Sequence, residues 1–86
     1  MDWNEAAEEL LHQILNQTPR PVREATEREL RAAAEALAEE EGKQRVNVQT
    51  LIEAWVRSTP EALRADVPRQ MERFGLDPEE YRTLWE

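Results

Sequence analysis

Apolar side chains along this chain recur at three- and four-residue spacings, and no segment alternates with period two. That pattern predicts helices throughout. Leu10, Leu11, Ile14 and Leu15, with Ala7 and Trp3 in the preceding turns, form one stripe on a first helix over about 4–17. Asp2 and Glu5 have the spacing of a capping box, with Asn4 a rival cap. The run Thr18-Pro19-Arg20-Pro21 breaks this helix, because a residue before proline is pushed out of helical conformation. Pro21 also suits the first turn of a second helix, expected over about 21–41. Val22, Thr26, Leu30, Ala33, Ala34 and Leu37 trace its expected buried face. Glu24–Arg28 and Glu27–Arg31 stand at i,i+4 on its outer face.

Gly42 is placed to end that helix in a left-handed C′ position. Asn47 reads as the N-cap of a third helix through about residue 57, and Val46 as a staple onto Leu51. The apolar face of this third helix, Val48, Leu51, Ile52, Trp55 and Val56, is the richest in the chain and is expected at the centre of the core. Thr59 then reads as a cap with Pro60 in a first turn, and Leu63, Val67, Met71 and Phe74 continue at helical spacing. Pro68 divides that stretch into two pieces, 60–65 and 67–74, and Gly75 ends them. Asp77-Pro78 opens a last helix bearing Tyr81, Leu84 and Trp85. No internal repeat is evident. The expected fold is all-α: a three-helix core over 1–58, with a helical extension over 59–86 packed on it.

Charge and composition narrow the function. Eighty-six residues bound the chain to one small domain. The absence of cysteine excludes a disulfide framework, a thiolate zinc site, a cysteine-ligated cluster and a cysteine nucleophile. No apolar run approaches the ~20 residues of a bilayer span, and no signal-peptide pattern opens the sequence, so no membrane insertion and a cytoplasmic location are expected. Nineteen acids against eleven bases give a net charge of -8. The one basic stretch is 43–58, where Lys43, Arg45 and Arg57 outnumber Glu53. Helix, glycine turn and short helix there outline a helix-turn-helix, and Arg45 is a candidate contact. Three bases on an acidic chain are few for a duplex, so a nucleic-acid-binding regulator is the secondary reading.

Candidate chemistry is sparse. His12, the only histidine, shares a helix face with Glu8, which is two ligands where a metal site needs more. The carboxylates lack the apolar flanks that raise a pKa, two isolated glycines make no phosphate loop, and Ser58 has no base at motif spacing. No catalytic residue, metal ligand or cofactor is assigned, and the expectation is a protein that is not an enzyme. Trp55 belongs to the core, and Trp3 is expected to pack under the second helix. Tyr81 and Trp85, late in an acidic extension, are the candidate aromatic anchors for a protein partner.

One set of residues carries a resemblance. Trp3, Ala7, Leu10 or Leu11, Ile14, a proline followed by Val22-Arg23, Glu35-x-x-Ala38-x-x-x-Gly42, Val46, Leu51 and Ala54 follow in order. This order resembles the small helical domain at the C-terminus of the B subunit of light-independent protochlorophyllide reductase, which also occurs as standalone proteins. The likeness covers about residues 3–56; the run from Val22 to Gly42 is about one helical turn longer than the family's, and Asn47 stands where threonine is common. The resemblance implies a place in chlorophyll biosynthesis or photosynthesis as an accessory interaction domain, not the reductase chemistry. It makes Arg23 a candidate partner contact, weighed against an Arg23–Glu27 pair on its own helix. It also admits a tetrapyrrole carrier, with a groove between the alanine-rich helix and the tail and His12 as axial ligand.

Overall fold

The computed structural model describes residues 1–84. Four α-helices, α1 (Glu5–Asn16), α2 (Arg20–Glu40), α3 (Val48–Ser58) and α4 (Val67–Arg73), account for most of them. Two short 3-10 segments, Glu61–Asp66 and Pro78–Leu84, flank α4. The all-α class and the helical core follow the apolar pattern closely.

Local chemistry explains most boundaries. Asn47 caps α3, its Oδ1 accepting the Thr50 backbone N–H at 2.8 Å and the Thr50 hydroxyl at 2.9 Å. Gly42 and Gly75 take φ of 73° and 76°, ending α2 and α4 in the left-handed conformation that glycine adopts without a Cβ penalty. At α1 the capping position is Asn4, with no side-chain cap bond, so the Asp2–Glu5 capping box does not form.

Trp3 is not helical. Asp2–Trp3 is a two-residue strand, β1, which pairs in parallel with β2 (Arg45–Val46), Asp2 facing Arg45 and Trp3 facing Val46. The Asn4 N–H extends the ladder to the Val46 carbonyl at 2.9 Å. Val46 is therefore fully buried in a strand next to the α3 cap.

The core is centred on α3, which buries Thr50, Leu51, Ile52, Ala54, Trp55 and Val56 and packs chiefly on α2. Ala34 and Ala38 of α2, both fully buried, let the two helix backbones approach closely. α1 adds Ala7, Leu10, Leu11, Ile14 and Leu15. Val67 and Met71 of α4 sit in the same apolar cluster. The Phe74 ring meets Trp55 with centroids 5.8 Å apart at a tilted 59°. The extension therefore completes the core.

α2 departs from expectation at its start. Leu30 is its first buried residue, and Val22 is 49% exposed, although both lie on the face that the spacing marks as apolar. The face is placed as expected, but no element covers its first turns. Leu63, on the Glu61–Asp66 segment, is 54% exposed and not in the core.

Candidate functional site

Two corners of the chain are built alike. At the end of α1 the Thr18 hydroxyl donates back to the Ile14 carbonyl at 2.9 Å; at the end of α3 the Thr59 hydroxyl donates to the Trp55 carbonyl at 2.7 Å. Thr59 thus closes the helix before it and caps nothing ahead. The next residues, Pro19 and Pro60, have nearly the same backbone, φ -56°, ψ 139° and φ -55°, ψ 143°. Three residues on, the Val22 and Leu63 amides bond the Pro19 and Pro60 carbonyls at 3.1 and 2.8 Å. An arginine follows in each: Arg23 donates from Nη2 to the Thr18 carbonyl at 3.0 Å, and Arg64 from Nε to the Thr59 carbonyl at 3.2 Å.

The shared pattern is Thr-Pro-x-x-apolar-Arg, a local repeat that the periodicity of the chain does not reveal. The copies diverge afterwards. The first continues as α2; the second stays 3-10 until Asp66, because Pro68 has no N–H for the Arg64 carbonyl and its ring would clash there.

Between the corners lies an open groove of about 380 Å³, within the size range of small binding sites. Thr18, Pro19, Thr59 and Pro60 form its rims, and Ile14, Leu30, Trp55, Leu63 and Phe74 supply apolar lining. Gln17, Ser58, Gln70, Glu29 and Arg73 add polar edges. Trp55 is 8% exposed and its indole N–H donates no hydrogen bond among the described residues. No buried side-chain polar atom lacks a partner there, so that N–H reaches solvent.

A second polar constellation lies around Trp3. Its indole N–H donates to Glu35 at 2.9 Å, and the Arg31 guanidinium lies 4.9 Å from the centroid of its ring. Arg31 donates to both Glu8 oxygens, at 2.6 and 3.1 Å, and to Glu27 at 3.0 Å. Hydrogen bonding from Arg31 holds the Glu8 carboxyl below its ordinary value, against the opposing effect of burial, with the Arg31 and His12 charges assisting. The same bonds raise the Arg31 pKa further. These groups tie β1 and α1 to α2.

The sequence candidates fall in different places. Arg23 is half-buried and serves the Thr18 carbonyl, while Glu27 pairs with Arg31 instead of Arg23. Arg45 is exposed on β2, away from the groove. Tyr81 is half-buried against the core and so is no free anchor; burial, with Glu80 adding, pushes its phenol pKa up. Trp85 lies outside the described residues. His12 is 65% exposed at the side chain and 3.7 Å from Glu8, on a face that does not line the groove, which removes the axial ligand imagined for a tetrapyrrole there. Among the described residues no group of three His, Asp or Glu side chains could hold a metal ion, and no helix is long and apolar enough to cross a membrane.

The helix-turn-helix outline fares poorly as a reading surface. The third helix buries Leu51, Ile52, Trp55 and Val56 and exposes Gln49, Arg57 and Ser58, while Lys43 pairs with Glu41 and Arg57 with Glu53. The sequence suggested a groove between the alanine-rich helix and the tail but not its exposed Leu63, because exposure is tertiary; the twice-used Thr-Pro-x-x-apolar-Arg pattern was the signal that could have found its two corners. Comparison with known proteins returns no match to a family model, a curated protein or a solved structure.

Proposed function

We propose that this chain is a non-catalytic protein-interaction domain that receives a segment of a partner in the groove between its two Thr-Pro corners, as an accessory to chlorophyll biosynthesis or photosynthesis. The docking reading is carried by one observation. Leu63 lines the groove and is more than half exposed, and Val22, at the equivalent position of the other corner, is nearly so. Leu63 is a large apolar side chain left exposed in a formed concavity, which is what a partner would cover. What supports the pathway is the motif order from Trp3 to Ala54 alone. Several of those positions serve one structural unit, since Trp3 pairs with Val46 and bonds Glu35, and Gly42 ends the helix that carries Glu35.

A chain with a photoreactive residue at Leu63, expressed in a photosynthetic host, tests both parts. The expected result is a cross-link to a pigment-pathway or photosystem protein that is absent when the probe is moved to exposed Glu40. Equal labelling from both positions would defeat the docking reading. Specific capture of an unrelated protein would defeat the pathway.

A further inference from the structure

The two walls of the groove carry single, opposite charges. The end of α1 and α2 supply one wall, with Thr18, Pro19 and Glu29. The end of α3, the Glu61–Asp66 segment and α4 supply the other, with Thr59, Pro60, Leu63 and Arg73. Among the described residues Glu29 is the one carboxylate lining the groove and Arg73 the one cation. Both are exposed, and neither is in an ion pair there. Neutral amides and hydroxyls make up the other polar edges.

Such a face is complementary to itself. When two copies meet groove to groove about a two-fold axis running along the groove, each wall faces the opposite wall of the other copy. Glu29 of each copy then meets Arg73 of the other, and both charges are paired. Each Thr-Pro corner meets the other corner, which has nearly the same backbone, and Leu63 enters the facing groove. Exposed area points the same way. The chain exposes 5825 Å², against about 5,300 Å² for a compact monomer of its mass. Covering that surplus on two copies removes about 1,000 Å², the lower edge of a specific interface. The charge of -8 on each copy opposes association, but physiological salt screens it beyond ~8 Å, and the facing walls are balanced.

Resting on the docking reading above, we infer that the free protein covers this groove with a second copy of itself, in a weak two-fold dimer that the partner segment displaces. The dimer keeps Leu63 from water until that segment arrives. A surface of uniform charge meets a like charge on one of the two walls, whereas a second copy meets none.

The test is sedimentation equilibrium of the full chain at physiological salt, from about 10 µM to about 1 mM, the range that a contact of this size implies. The expected result is a reversible monomer–dimer equilibrium. Leu63→Ser should weaken it about tenfold or more, and Val22→Ser, exposed but outside the groove, should not. Glu29→Arg and Arg73→Glu should each weaken it by a similar factor, Glu29→Arg even though it makes both copies less acidic. An equimolar mixture of those two variants should associate again, because each wall of one then meets the opposite charge on the other. Every substituted side chain is exposed, so helical circular dichroism should stay unchanged. A wild type that remains monomeric throughout overturns the second copy and leaves docking to the cross-link from Leu63. A dimer indifferent to Leu63→Ser, or charge variants that stay apart on mixing, overturns the groove as the contact.

Discussion

Arg31 lies over the ring of Trp3, guanidinium carbon to centroid 4.9 Å, while the same group grips both oxygens of Glu8. One side chain of α2 thereby fastens β1 and α1 together. Replacing Arg31 with Met keeps much of the stem and removes the charge. The expected cost is about 1–2 kcal/mol, since the pairs are part-exposed and screened. Urea unfolding should show a lower midpoint at unchanged slope. A double-mutant cycle with Trp3→Leu should return a coupling of about 0.5–1 kcal/mol.

Acid should weaken the same linkage. The Glu8 carboxyl is lowered in the folded protein from its ordinary 4.5, so the unfolded chain takes up the proton first as pH falls. The contribution of Glu8 is thus fully present above its unfolded pKa and is lost as pH drops through the folded value. Stability measured against pH should decline on the acid side of 4.5, and Glu8→Gln should flatten that part of the curve.

Alkali should act on the C-terminal extension. Tyr81 is the only tyrosine, and burial raises its pKa above 10.0, with Glu80 contributing. A phenol raised on folding stabilises below its unfolded pKa and loses that contribution as pH rises through the folded value. Ultraviolet titration of the native protein should place ionisation above 10.0, and Tyr81→Phe should soften the loss of stability there.

Met71 tests whether the extension belongs to the core. It is fully buried in the cluster that contains the α1 and α3 side chains. Met71→Ala should cost about 2–5 kcal/mol in a single unfolding transition seen by every probe. A small loss confined to 59–84 would mean that α4 is separately stable.

Helix limits were readable because each rests on a residue with one dominant local effect: Asn47, Gly42, Gly75 and the prolines. Other features were hidden for physical reasons. A two-residue strand has no period to detect, so Trp3 read as part of the first helix. The spacing gave the direction of Val22 on its helix but not what stands opposite, and that decides burial. Thr59 has the chemistry to cap forward or to bond back, and only the geometry of the α3 end selects the second. Tyr81 looked free in an acidic tail because its packing depends on where Gly75 redirects the chain.

The paired Thr-Pro corners also bear on how selective the groove can be. Each wall leaves its helix through a ring-locked torsion, with a hydroxyl bonded behind it and a guanidinium bonded to the carbonyl at the bend. Those bonds and the fixed proline φ restrain each wall at its bend. For the proposed partner segment such a cleft would act as a gauge: side chains of the right bulk would enter at little cost, and bulkier ones would clash with the restrained walls.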